Sequence, residues 1–405
     1  MTTSIPITQV DVAIVGAGPS GLCLAGALSG HGVSTMLIDR QSRAAMAEPR
    51  SDGREIALTR ASQEILEALG IWSRIAASER APMRAARVFD GQSLFAMRLG
   101  PDASRTEPLG CLVPNQAIRQ AAYAALEAVR PAAHAEVLWR DESEVKAFHP
   151  DDRQTGVEIR LVSGETVRAK LLVAADSRFS QTRQAMGIAA HSYQHGQQML
   201  VCRMHHRKAH DFTAWEWFGH GQTLALLPVS EHCSSVVLTL KPSEMDALLS
   251  QPQENFDAEI TRRLGRRLGA MTRVAEPHCY PLTSVYAEHF VAPRQALIGD
   301  AAVGMHPVTA HGFNLGLQGV WRLATLIGEA RRADQDIAAA PLLHRYQHDH
   351  RLATAPLFAA TLAITGLYTN DRPAARLLRK ALLHAGDVAW PVRRLIAAHL
   401  MRPAR

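Results

Sequence analysis

Gly16, Gly18 and Gly21 stand at the spacing G-x-G-x-x-G, directly after the apolar run 10–15 and at the start of a helical stretch over 19–29. Such a turn cradles phosphate. The first glycine permits the tight turn, the second lets the backbone approach a pyrophosphate, and the third lets helix and strand pack closely. The helix N-terminus adds unpaired N–H groups and the positive end of its dipole. A second apolar run, 33–38, ends at Asp39, 18 residues after Gly21, where a carboxylate can bind ribose hydroxyls. Strand, glycine turn, helix, strand and acid together specify a dinucleotide site. They leave open which dinucleotide binds.

Two further acids sit at the ends of apolar strands. The run 171–174 leads into Ala175-Asp176-Ser177, with Arg183 behind it and a helix expected from about Ser180. Alone, this also reads as an ordinary capped turn. The third stretch is Leu297-Ile298-Gly299-Asp300-Ala301-Ala302, followed by His306-Pro307 and then Gly312-Phe313-Asn314. A strand here delivers Asp300 to its C-terminal end, and a helix begins at about Asn314. Asp300 can accept hydrogen bonds from ribityl hydroxyls. The N–H groups near Phe313 and Asn314 can face the pyrimidine edge of a flavin, which becomes anionic on reduction.

These segments need a large scaffold, and the chain has one. Its 405 residues are 47% hydrophobic and 20% charged, which suits two or three units around a shared core. Net charge is +6, and the arginines are scattered rather than clustered, so nucleic acid is not an expected partner. Five dispersed cysteines without C-x-x-C argue against a disulfide framework or a zinc site. The first nine residues carry no basic n-region, so no signal peptide is expected. The uncharged stretch 352–370 is close to spanning length, but Pro356, Gly366 and its threonines favour a buried helix.

The phosphate-binding half is expected to be discontinuous, over 8–80, 105–190 and 275–340. A β-rich substrate domain takes 81–104 and 191–274, with strands at 197–205, 212–217, 223–229 and 234–240 forming an antiparallel roof. A helical region follows over 341–405. Only one dinucleotide fingerprint is present, which argues against a glutathione-reductase-like enzyme with two nucleotide domains. His205, His206 and His210 read as a solvated edge rather than metal ligands. Trp215-Glu216-Trp217 reads as sheet packing, and Tyr280, Tyr286 and Tyr368 as structural aromatics.

In this order and at these separations, the three motifs resemble the FAD-dependent aromatic hydroxylases of the p-hydroxybenzoate hydroxylase fold. Within them the chain is most similar to the ubiquinone-biosynthesis ring hydroxylases. Ser51-Asp52-Gly53-Arg54-Glu55, Leu69-Gly70-Ile71-Trp72, Leu224-Ala225-Leu226-Leu227-Pro228 and Tyr280-Pro281-Leu282 carry the likeness between the motifs. The resemblance implies an α/β fold: a Rossmann-like FAD-binding domain, an interleaved antiparallel sheet and C-terminal helices. It places Gly16, Gly18, Gly21 and Asp39 at the adenosine and pyrophosphate, and Arg54 in the loop near the pyrophosphate. Asn115 and Arg119 fall at an FAD contact, Asp176 in the middle motif, and Gly299 and Asp300 at the ribityl chain. Pro307, Gly312, Phe313 and Asn314 fall beside the isoalloxazine, where Pro307, Gly312 and Asn314 would serve catalysis.

The chain departs from the family pattern at Asp39 for Glu, Ser177 for Gly, Val303 for His, Ala310-His311 for Gly-Gln and Gly319 for Asp. The implied chemistry is ring hydroxylation of a polyprenyl phenol or quinol through a C4a-hydroperoxyflavin, with NAD(P)H as transient reductant and dioxygen as co-substrate. Alternatives are a hydroxylase of a soluble aromatic and a non-catalytic flavin-binding partner. The expected location is the cytoplasm. The basic, Leu- and Trp-containing stretch 372–405 leaves open a peripheral contact at the inner face of a membrane. Membership of a biosynthetic complex or a homo-oligomer also stays open.

Overall fold

The structure is a computed structural model that describes residues 7–90, 96–99, 108–128, 135–151, 155–219, 222–307 and 311–368. The chain enters on β1 (Thr8–Val15), turns into α1 (Pro19–Gly30) and returns on β2 (Thr35–Ile38). Next come α2 (Arg43–Ala47), β3 (Glu55–Leu58), α3 (Arg60–Ala68) and the short strands β4 (Ala81–Met83), β5 (Ala85–Asp90) and β6 (Ala96–Leu99). Strand β7 (Gly110–Pro114) feeds α4 (Asn115–Glu127), followed by β8 (Val137–Arg140), β9 (Val145–Pro150), β10 (Val157–Leu161) and β11 (Thr166–Ala174). Helix α5 (Gln181–Ala185) precedes the long β12 (Ala190–His206), then β13 (Thr213–Gly219), β14 (Gln222–Ser230) and β15 (Cys233–Leu240). The last part runs α6 (Pro242–Leu249), α7 (Gln253–Arg263), β16 (Met271–Arg273), β17 (His278–Ala287), β18 (Val291–Ala292), β19 (Gln295–Leu297), β20 (Val303–Gly304), α8 (Gly312–Arg332) and α9 (Ala340–Tyr368).

Strands β19, β11, β1, β2 and β8 lie side by side and parallel, with β18, β10 and β9 added antiparallel. Parallel strands are covered on both faces, so β1 and β11 read as continuous apolar runs. Val12, Ile14, Leu171 and Val173 face the core shared with α1, α4 and α8, while Ala13, Leu172 and Met36 face a second cluster with β9 and β10.

The second sheet runs β20-β17-β12-β15-β14-β13-β5-β6, with β16 beside β12. Its strands alternate with period two. Leu200, Cys202, Leu224, Leu226, Val236 and Leu238 point to one face, where Met245, Phe256 and Ile260 of α6 and α7 close a separate core. That leaves the opposite face turned toward the FAD-binding half. There β14 abuts β4 and β7 of the small sheet β3-β7-β4. The roof sheet takes in β17 and β20, which fall within the span 275–340 assigned to the nucleotide half. They join it because β12 is long enough to pair β15 on one edge and β17 on the other.

The second half of α9 is not a buried helix. Thr354, Phe358, Thr361 and Thr365 face inward, whereas Leu352 is 70% exposed. Among the described residues no helix is long and apolar enough to cross a membrane. Tyr286 is buried and its hydroxyl meets Thr354 Oγ1 at 3.0 Å. The basic stretch 372–405 lies outside the described residues.

Candidate functional site

Gly16 has φ +106°, and its N–H donates to Ile38 O at 2.8 Å. A Cβ there would lie 2.5 Å from Ala175 O, and one on Gly21 would lie 1.9 Å from Gly16 O. A Cβ on Gly18 would meet nothing within 4 Å. The two outer glycines are therefore forced by the protein's own backbone, while the middle one borders open space at the start of α1. Helix α1 has no side-chain cap on its N-terminus and no acid in its first turn. An anion is the missing complement to those first-turn N–H groups. Asp39 stands at the end of β2, accepting from Ala17 N at 2.6 Å and Gln41 N at 2.8 Å. Arg119, on α4, donates to Gln41 Oε1 at 3.2 Å beside it.

The third motif crosses this turn. Gly299 has φ +57°, and a Cβ on it would lie 2.5 Å from Ser20 Oγ. A Cβ on Gly316 of α8 would lie 3.3 Å from Gly299 Cα. The start of α1, the Gly299 turn and the first turns of α8 thus meet at contact distance. Asp300 accepts from Arg178 Nη2 at 2.8 Å and Nε at 3.2 Å, and Arg178 Nη1 donates to Thr283 O at 2.9 Å. Arg178 was not singled out as a partner because the bond spans 122 residues.

The middle and last motifs spend their side chains on scaffolding. Asp176 accepts from Ser180 Oγ at 2.5 Å, Thr182 N at 3.1 Å and Thr182 Oγ1 at 2.9 Å, so its carboxylate holds the start of α5. Asn314 accepts from Thr59 N at 2.9 Å and donates to Ala57 O at 2.8 Å, fastening α8 to the β3–α3 junction. What α8 offers a ligand is its N-terminus at Gly312 and Phe313, with no side-chain cap and no acid in its first turn. Pro307 lies half-buried just before residues 308–310, which are outside the described residues.

Ser177, where the family pattern has Gly, adopts φ +95°. A non-glycine side chain is strained there, and Ser177 is exposed. Ser177→Gly is therefore expected to raise unfolding stability by about 1 kcal/mol, read as a higher denaturant midpoint at unchanged slope. Gly319, where the pattern has Asp, has no room for a side chain, since a Cβ would lie 2.7 Å from the buried His350 ring.

A second convergence lies between the halves. Arg54 Nη2 bonds Asp52 Oδ2 at 2.6 Å, Asn115 Nδ2 donates to the same oxygen at 2.7 Å, and Tyr280 Oη donates to Asp52 O at 2.7 Å. Burial pushes the Asp52 carboxyl up, but Arg54 and Asn115 outweigh it and hold its pKa below the usual range. Asp52 is the node that sequence reading missed. Two of its partners are 63 and 228 residues away.

Arg203, on the roof face turned toward this loop, pairs with Glu55 of β3 at 2.6 Å. On the same face Glu216 is ionisable and unassigned, and burial pushes its carboxyl up to about 8. Trp215 and Trp217, on the other face, pack on Phe89. His206 and His210 are buried rather than solvated, bonded to Ser234 Oγ, Lys208 O and Cys233 O. Among the described residues no group of His, Cys, Asp and Glu is placed to hold a metal ion.

The family described as FAD binding domain matches residues 9–360. The chain is 41% identical over 394 residues to ubiquinone hydroxylase UbiM of Neisseria meningitidis, covering 96% of this chain and 84% of that protein. It is 30% identical over 388 residues to 3-demethoxyubiquinol 3-hydroxylase of Escherichia coli, covering 95% and 96%. Among solved structures, p-nitrophenol 4-monooxygenase PnpA from Pseudomonas putida has the same fold, with TM-score 0.75 and 19% identity over 97% of this chain and 98% of that one. With the uncapped α1 turn and the Gly299 turn packed against it, these matches show that the chain belongs to the FAD-binding family of the ubiquinone hydroxylases and is an FAD-dependent aromatic-ring monooxygenase.

Proposed function

We propose that this enzyme hydroxylates the ring of a polyprenylated phenol or quinol in ubiquinone biosynthesis, using dioxygen and electrons from NAD(P)H. The reading is supported by the printed activities of its relatives. The single observation that carries it is the meeting of the α1 N-terminus, the Gly299 turn and the α8 N-terminus, two uncapped helix ends joined at one turn. FAD, when bound, supplies the oxygen-activating chemistry.

The chain's own residues bind, orient and shield. The first turn of α1, between Gly16, Gly18 and Gly21, holds the pyrophosphate, and Asp39 and Arg119 border the adenosine end. Arg54 and Asn115, fixed by Asp52, flank the phosphates. Asp300 lies beside the ribityl chain, and Asp176 holds α5 and the turn before it. Gly312, Phe313 and the backbone of Asn314 present donors to the edge of the ring system that gains negative charge, with Pro307 shaping the loop. The face of the roof sheet opposite the α6–α7 core closes the site and excludes water. The polyprenyl tail places the enzyme against the inner face of a membrane as a peripheral protein, through the basic stretch 372–405.

Purified protein is expected to be yellow and to release FAD, not FMN, on acid treatment. Given NADPH or NADH, air and 2-geranylphenol, it is expected to yield a product heavier by one oxygen. FAD-loaded protein that oxidises NADPH and NADH without hydroxylating any prenylated phenol would overturn the substrate reading.

A further inference from the structure

Glu216 is an ionisable side chain of the roof sheet that lies apart from the residues around the α1 turn. It stands on β13, paired in register with Val88 on β5 and Ala225 on β14. The same cross-strand row continues through Val237 on β15 to Val201 on β12. Val88, Ala225, Val237 and Val201 keep that row apolar around Glu216, and it ends at His278 on β17. Trp215 and Trp217 on either side of it point to the α6–α7 core, so Glu216 points to the opposite face. That is the face on which Val201 and Tyr280 cluster, Arg203 reaches Glu55 and the Tyr280 hydroxyl reaches Asp52. The Glu216 carboxyl therefore shares a wall with the loop that carries Arg54.

Its carboxyl has no hydrogen-bond or ion-pair partner among the described residues. The carboxyl is surrounded by protein, while the residue as a whole is only partly buried. An acid in an apolar wall without a partner is costly, and proteins tolerate it mainly where a ligand completes it. We propose that Glu216 is the specificity-determining residue of this enzyme, hydrogen-bonding the ring hydroxyl of an uncharged aromatic substrate; this rests on the function proposed above.

The chemistry of the wall selects the substrate class. A carboxyl that is protonated at neutral pH offers one donor and one acceptor, which suits a phenol or quinol oxygen. It supplies no positive charge to offset the desolvation of an aromatic carboxylate. The guanidinium groups nearest that face are already paired, Arg203 with Glu55 and Arg54 with Asp52. An apolar wall with one neutral acid fits a lipid-like ring and discriminates against a charged benzoate. A site that hydrogen-bonds a hydroxyl rejects the analogue lacking it, because its own polar group is then left unpaired.

The test uses FAD-loaded protein and calorimetric binding of three probes: 2-geranylphenol, its methyl ether and 4-hydroxybenzoate. Wild-type protein is expected to bind the phenol at least tenfold more tightly than the ether, and the benzoate most weakly. Glu216→Leu is expected to weaken phenol binding about tenfold, leave the ether within twofold and so erase the discrimination. Glu216→Gln, whose amide still donates and accepts, is expected to recover most of the phenol affinity. Phenol affinity in Glu216→Leu within twofold of wild type, with FAD content unchanged, would overturn the assignment and leave the proposed function standing. Preference of the wild-type protein for 4-hydroxybenzoate would overturn both.

Discussion

Gly21→Ala is expected to give a protein that retains no FAD and unfolds well below wild type, whereas Gly18→Ala keeps most of the stability of the FAD-free fold and chiefly loses affinity. At Gly21 the added methyl would lie 1.9 Å from Gly16 O, a backbone atom that cannot rotate away. Helix α1 or the end of β1 must move, at about 3 kcal/mol or more for overpacking of this kind. The displaced elements are also those that form the anion cradle. At Gly18 nothing stands within 4 Å, and the backbone is extended (φ −69°, ψ −179°), which any residue adopts. Alanine, a poorer N-cap than glycine, costs the helix end about 0.5–1 kcal/mol, well below the cost at Gly21. If the pyrophosphate fills that space, FAD affinity falls by tenfold or more. Denaturant midpoints of the FAD-free proteins and fluorescence titrations with FAD separate the two effects. A Gly21→Ala protein that purifies yellow with a wild-type midpoint would contradict this packing.

A steep loss of stability between about pH 6 and 5 is the second large effect expected. Burial is the leading cause that holds His306 and His350 down at about 3 and His206 at about 4, with Arg178 and His195 adding to it at His306 and Arg322 at His350. In the unfolded chain each titrates near 6.5. Below that value the unfolded state binds protons that the folded state refuses, so stability falls as pH falls toward 4. Glu216 works the other way. Its folded value of about 8 exceeds the unfolded carboxylate value, so from pH 8 down to about 4.5 the folded state carries a proton the unfolded state lacks. Three histidines against one glutamate leave a net uptake of about two protons on unfolding. That is a slope of roughly 3 kcal/mol per pH unit in this window. His31, His195 and His210 are lowered too and act with the other histidines, while burial raises Glu55, which acts with Glu216. Denaturant midpoints measured from pH 7.5 to 5 check the slope, and His350→Phe is expected to reduce it by about one proton. A midpoint unchanged over that range would contradict the buried, neutral state of these rings.

Much of the nucleotide half and of the roof sheet is legible in the sequence. Runs 10–15 and 33–38 become β1 and β2, the helix expected over 19–29 becomes α1, and the strands expected at 197–205, 212–217, 223–229 and 234–240 become β12 to β15. Ser180 reads as the start of a helix, and its hydroxyl accepts from Arg183 N at the N-terminus of α5. Reading fails where a side chain's neighbour is remote in the chain. His206 looks solvated because three basic residues, Arg203, Arg207 and Lys208, surround it in sequence, yet in the fold it is buried with its ring nitrogens at Ser234 Oγ and Lys208 O. The uncharged half of α9 looked buried because sequence shows how apolar a helix is but not how many of its faces another element covers.

Local geometry alone decides the glycine turn, the strand-to-helix switches and the acids at strand ends, because each depends on φ, on a cap or on a spacing of a few residues. Chemical type therefore placed Asp39, Asp176 and Asp300 at the ends of the right strands. Only the tertiary structure decides what those carboxylates face. Asp300 meets Arg178 across 122 positions, while Asp176 is satisfied within six residues and supports α5. The same holds for Glu216. Its neighbours in sequence are two tryptophans that point away from it, and its neighbours across the sheet are Val88 of β5 and Ala225 of β14. Whether an acid is paired, capping or waiting for a ligand is a property of which strands lie beside it, and pairing between strands distant in the chain leaves no mark on the residues at either end.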